Sequence, residues 1–449
     1  METASKLAAD LSAGRTTSRA LVDQALARIA DTAGEGARAF TRVYAEVARA
    51  EADHSDRLRR AGIVRSPVDG LPVSVKDLFD VGGDVTRAGS KVLAGAPAAT
   101  ADAPAVARLR SAGAIVVGRT NMVEFAFGVV GANPHYGTPK NPHERAVGRV
   151  PGGSSSGAAV AQADGMCVMA LGTDTRGSIR VPAALCGVTG FKPTARRVPR
   201  DGAFPLSYTL DSVGPLAASV ECCATFDAVL AAGSAAPLPA LPLAGLRLML
   251  PRSSAVEDLD AGVAAAFDGA LAVLSRAGAA IVEVPMPMFD RQAEFFRAGG
   301  FAGAEAYSIH RQWLSRIDEY DPRVGKRIAL GKDLNAADYV DLLRLRSDYM
   351  RSVETAAAPF DAILMPSVPC VAPSIAECTA SDDDYFRWNL RILRNAGLVN
   401  FLDGCAASVP CQAPGAAPVG LSVCGTAMSD RHILAVAAAI QAALAARGR

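Results

Sequence analysis

Two loops rich in glycine and serine hold the residues of this chain best suited to chemistry. The first reads Gly152-Gly153-Ser154-Ser155-Ser156-Gly157, and the second Gly172-Thr173-Asp174-Thr175-Arg176-Gly177-Ser178. Paired glycines let the backbone turn tightly, and the serines crowd hydroxyls into that turn. A serine at the exit of a buried strand is placed as a nucleophile would be. Successive backbone N–H groups in such a loop can converge on an anion, which is what stabilising an oxyanion requires. Taken alone, the first loop also reads as a serine-rich surface turn. It fits a phosphate cradle poorly, lacking both the lysine of a P-loop and the spacing of a dinucleotide fingerprint. Lys76 is the third chemical group, the one lysine in the β-rich run GLPVSVKDLFD over 70–80. Lysine rarely enters such a run without a partner, although the run also reads as an edge strand whose lysine faces water.

Strands and helices must bring these groups together. An apolar strand over 167–171 feeds the second loop, a helix begins at 157–163, and a helical turn follows at 179–185. Upstream, helices are expected over 6–12 and 19–29, the latter capped by Thr16, Thr17 and Ser18. A strand over 40–44 and an amphipathic helix to about residue 60 follow. The pattern then alternates: strand 73–76, helix 103–112, strand 115–118. Beyond an Ala/Pro-rich stretch at 235–243 it resumes with strand 246–250, helix 259–276 and strand 280–284. Residues 291–356 read as mainly helical, 361–365 and 419–423 as buried strands, and 430–447 as a closing helix. Such alternation predicts an α/β sheet with helices on its faces. Length alone suggests two or three domains. One large domain is expected instead, because motifs in the first half and segments near the end must meet at one site.

GGSSSG followed by GTDTRGSIRVPAALCGVTGFKPT resembles the signature of the amidase signature family of serine hydrolases. GRTNMVEF at 118–125, NPHYGTPKNP at 133–142 and PVGLSVCG at 418–425 are similar to further segments of that family. The resemblance implies a Ser-Ser-Lys triad with Ser178 as nucleophile, Ser154 as bridging serine and Lys76 as base, and a cis peptide bond before Ser154. It also implies an oxyanion hole built from the N–H groups of Thr175, Arg176, Gly177 and Ser178. The family fold is a single domain, here 1–449, with a central mixed β-sheet covered by helices on both faces. Its strict motifs fall at about 70–220, and a variable, mainly helical region at about 290–356 shapes the substrate pocket. Phe125, Phe127 and Tyr136 are pocket residues by this likeness, or else ordinary core. Phe204, Tyr208 and Leu210 are candidate substrate contacts by the same likeness, lying in the stretch 201–217, which resembles the family loop leading out of the core.

The triad makes chemical sense. A serine hydroxyl is a weak nucleophile until a base takes its proton, and lysine is a base only when neutral, a state that burial favours. Activity is therefore expected to rise towards alkaline pH. Arg176 departs from the family, in which a small residue is usual. Its side chain either faces the pocket and favours an anionic substrate or points outward to a structural carboxylate; a demand for positive φ there would strain it.

Composition excludes other classes. Lys plus Arg is 46 against 45 acids, a net charge of +1, which offers no electrostatic case for nucleic acid or an anionic membrane. No apolar run is long enough to span a bilayer, and residues 1–11 lack a secretory core. Nine cysteines at scattered spacings form no metal or disulfide pattern and point to a reducing cytoplasm. His135 and His143 share one loop without a metal-binding motif around them, so neither metal nor cofactor is expected. The expected activity is hydrolysis of an amide-type bond of a small molecule through an acyl-serine. Alternatives are a hydrolase of ureido or carbamate compounds, a glutamine-hydrolysing subunit of a tRNA-dependent amidotransferase, or a non-catalytic binding paralogue. A homodimer is implied only by the resemblance.

Overall fold

The structure, a computed structural model, describes residues 2–446. Its strands are β1 (Phe40–Val43), β2 (Pro72–Lys76), β3 (Ile115–Thr120), β4 (Met169–Asp174), β5 (Thr189–Lys192) and β6 (Ser212–Ala217). They continue with β7 (Arg247–Arg252), β8 (Ala280–Pro285), β9 (Ala362–Pro366), β10 (Cys405–Pro410) and β11 (Gly420–Gly425). All eleven join one mixed sheet in the order β1-β3-β2-β4-β6-β5-β10-β11-β9-β7-β8. β2 runs parallel to both β3 and β4, whereas β4 meets β6, and β10 meets both β5 and β11, antiparallel.

Every residue of β2, β3 and β4 is buried, as expected of parallel strands covered on both faces. The Lys76 run is therefore an interior strand, and the edge-strand reading is set aside. Helix Ser156–Ala163 packs its small residues against this part of the sheet. Near the N-terminus, Thr17 caps helix Ser18–Ala30 through its side chain. The region 291–356 is helical as expected, ending in the 22-residue helix Ala336–Ala357.

Three expectations need correction, and one reaches beyond the described residues. The strand expected at 167–171 begins at Met169 and runs on to Asp174, so Gly172, Thr173 and Asp174 belong to β4 rather than to a loop. The stretch 201–217, expected as a loop, ends in strand β6. β5 and β10 were not anticipated: one is four residues long with a glycine, and the other is built of small residues, so neither has a marked apolar alternation. The closing helix is Asp430–Ala446, and Arg447 lies outside the described residues. Among the described residues no helix is long and apolar enough to cross a membrane.

Candidate active site

Lys76 ends β2, and Thr173 stands near the end of the adjacent parallel strand β4. The C-terminal ends of parallel strands are where open α/β sheets bind ligands. Lys76 is wholly buried, and its Nζ donates to Ser154 Oγ at 2.8 Å and to Thr173 Oγ1 at 2.9 Å. Burial lowers its pKa to about 7, and Asp211 and Asp174 oppose that shift only partly. Close to neutral pH, much of this amine is therefore unprotonated.

The Gly153–Ser154 peptide is cis. The N–H of Ser155 donates to the carbonyl of Ser178 at 3.3 Å, which ties the two serine loops together. Ser178 is 3% exposed, and its hydroxyl has no hydrogen-bond partner among the described residues. The structure thus places Lys76 against Ser154 and the Ser154 loop against the backbone of Ser178.

The loop from Asp174 to Arg180 is shaped by a carboxylate. Asp174 Oδ1 accepts from the N–H of Gly177 at 2.7 Å, and Oδ2 from the N–H of Ile179 at 3.1 Å. The Arg180 guanidinium grips both oxygens at 3.0 Å, and Asn400 Nδ2 adds a bond at 2.9 Å. Burial alone would raise the pKa of Asp174, but Arg180 holds it well below the usual carboxylate range. Arg180 Nη2 also donates to Asn400 Oδ1 at 2.6 Å. Sequence reasoning missed Thr173, Asp174, Arg180 and Asn400 as parts of the site. The first three lie in or beside the motif and could have been weighed; Asn400 carries no local signal.

Of the four N–H groups expected to hold an oxyanion, that of Gly177 is already bonded to Asp174. Those of Thr175, Arg176 and Ser178 have no acceptor among the described residues. Gly177 takes φ of +119°, and a Cβ there would lie 2.5 Å from Ala396 Cβ, so glycine is required. The backbone at Arg176 has no positive φ, so arginine is unstrained there. Next along, Thr175 Oγ1 donates to Asp211 Oδ1 at 2.5 Å, and the Leu206 and Ser207 N–H groups donate to Oδ2 at 3.0 Å each. Burial nonetheless raises the Asp211 pKa to about 6.

The expected pocket residues separate. Phe125 is buried in an aromatic cluster, 5.1 Å from the Phe204 ring and 4.3 Å from the His310 ring by centroid. Phe127 packs under the Arg327 guanidinium, and Tyr136 donates to the Ser90 carbonyl at 3.3 Å. Phe204 and the exposed Tyr208 line a cavity of about 500 Å³ whose wall includes Thr173 and Asp211. Leu210 is buried in the core. His135 Nε2 lies 2.9 Å from Glu124 Oε1, and among the described residues no cluster of His, Cys, Asp or Glu is arranged to hold a metal ion.

The Amidase family profile matches residues 20–434. The 2-amino-5-chloromuconic acid deaminase of Comamonas testosteroni is 38% identical, over 88% of this chain and 86% of its own. AtzE, the 1-carboxybiuret hydrolase subunit of Pseudomonas sp. (strain ADP), is 39% identical, over 81% of each chain. A glutamyl-tRNA(Gln) amidotransferase subunit of Chloroflexus aggregans is 34% identical, over 96% of this chain and 94% of its own. A crystal structure of an amidase superposes with a TM-score of 0.87 at 33% identity, covering 98% of this chain and 99% of that one.

Proposed function

The chain belongs to the amidase signature family, whose members hydrolyse carbon–nitrogen amide bonds, and from that premise we propose that it cleaves a small amide through an acyl-enzyme on Ser178. The observation that carries this reading is the buried contact of Lys76 Nζ with Ser154 Oγ, on a loop bonded to the Ser178 backbone. Neutral Lys76 accepts the Ser154 proton while Ser154 accepts that of Ser178, and Ser178 Oγ attacks the carbonyl carbon. The oxyanion rests on the N–H groups of Thr175, Arg176 and Ser178. When the tetrahedral adduct collapses, the C–N bond breaks and the amine leaves with a proton from Ser154, which Lys76 replaces. Water then adds to the acyl-enzyme by the same relay and releases the acid.

A fluorophosphonate tests this directly, since it phosphonylates only an activated serine. Intact mass is expected to show one adduct on the wild type, none on Ser178→Ala, and labelling slowed at least about 100-fold in Ser154→Ala. An unlabelled wild type, or an adduct that survives in Ser178→Ala, refutes the assignment. The likeness to a 1-carboxybiuret hydrolase subunit supports a second reading, cleavage of a ureido C–N bond by the same residues. Turnover of a biuret-type compound but not of linear amides would favour it. Relatives that are subunits raise the question of a partner; turnover by the purified chain alone would answer that none is needed.

A further inference from the structure

The two fully buried arginines, Arg119 and Arg180, are paired with carboxylates, whereas the half-buried Arg176 beside the nucleophile is not. Arg180 grips Asp174 at 3.0 Å, and Arg119 holds Asp77 at 2.8 Å. Arg176, two residues before Ser178, holds none. Its Cζ lies 3.3 Å from the centroid of the Phe296 ring, its Nε is buried without a partner, and its terminal nitrogens reach no acceptor among the described residues. Gly397 lies beside this pair, where a Cβ would come within 3.2 Å of the Phe296 ring.

A second guanidinium raises the demand for an anion. Arg327 lies over the Phe127 ring at 4.5 Å and donates to the carbonyls of Phe127 and Arg323, with no carboxylate within ion-pair distance among the described residues. Burial first, then the charge of Arg327, lower the Arg176 pKa to about 9. A guanidinium that is partly withdrawn from water and holds no carboxylate is stabilised when an anion enters beside it. The planar fork of a guanidinium matches the two oxygens of a carboxylate.

We propose that Arg176 is a specificity-determining residue that binds a carboxylate on the substrate, so that the preferred substrates are short amides carrying a free carboxylate. This rests on the assignment of Ser178 as nucleophile, on whose loop Arg176 stands. Arg327 adds to the positive field around the bound anion.

Succinamate and butyramide differ only in carboxylate against methyl, and they provide the test. In the wild type, kcat/KM for succinamate is expected to exceed that for butyramide by about 30-fold or more. That ratio is expected to fall below about 3 in Arg176→Gln and to recover in part in Arg176→Lys. Succinate is expected to slow fluorophosphonate labelling of the wild type but not of Arg176→Gln. Equal turnover of the two amides by the wild type, or a ratio that persists in Arg176→Gln, overturns the proposal. Should Arg176→Gln not fold, the wild-type ratio and the protection by succinate decide the matter. A wild type that labels at Ser178 yet shows no preference rejects the anion site alone, whereas absence of the Ser178 adduct rejects the reading beneath it.

Discussion

Lys76 carries two roles that pull against each other. As a base it must be neutral, and burial that lowers its pKa to about 7 achieves this. The same burial places a cation in the core whenever the amine is protonated. Because the pKa lies below the 10.5 of an exposed lysine, the folded enzyme binds fewer protons than the unfolded chain between about pH 7 and 10.5. Its contribution to stability therefore grows as pH rises through that window and is least favourable at pH 7 and below. Lys76→Met is expected to lose about 1000-fold or more in kcat/KM yet to melt higher than the wild type. The gap in Tm should be widest at pH 6 and should shrink towards pH 10. Wild-type kcat/KM should rise with pH about a midpoint near 7; a rate that falls as pH rises from 6 to 8 would exclude Lys76 as the base.

The nucleophile loop holds its shape because β4 ends in a carboxylate that collects its donors. Asp174 bonds the backbone N–H groups of Gly177, Ile179 and Arg180, the Arg180 guanidinium and Asn400, all of them buried. Asp174→Ala would leave Arg180 a buried cation without its partner, so a loss of about 3–5 kcal/mol in urea unfolding is expected, together with loss of turnover. A loss below about 1 kcal/mol would mean that the loop is held by packing alone. This element also marks how far sequence reasoning reaches. The loops, the lysine run and most strands were legible because each rests on a local pattern of glycine, hydroxyl or apolar residues. Asp174 read as one polar residue in a polar loop, for its role depends on Asn400, 226 positions away. The true extent of β4 was hidden for a related reason: GTD carries no strand propensity of its own and is held extended by pairing with β6. The side chain of Arg176 left two directions open, and neither its stacking on Phe296 nor the absence of a carboxylate partner could be read from local sequence.

Across the whole molecule, a site whose motifs lie in the first half is completed from the far end of the chain. Ala396 and Asn400, both in helix Ala396–Leu402, rest on the nucleophile loop, and β10, just beyond that helix, joins β5 to β11 and so links the two parts of the sheet. Such a sheet has no internal boundary at which half could unfold while the other stayed intact, and we propose that the chain unfolds as one unit. The cysteines offer a way to see this. All nine are buried, with Cys167, Cys186 and Cys223 in the earlier part and Cys370, Cys405 and Cys424 in the later. Burial raises the pKa of Cys167, Cys370 and Cys424 to about 12, so their reactive thiolates are scarce in the folded state. An aromatic disulfide reagent at pH 8 should then label less than about one thiol per native chain, the rest reacting only on opening. Across a urea titration, peptide mapping is expected to show thiols of both parts becoming reactive at one midpoint, the midpoint at which turnover is lost. If Cys370, Cys405 and Cys424 labelled at clearly lower urea than Cys167, Cys186 and Cys223, the later strands would form a separate cooperative unit, and the single-domain reading would fall.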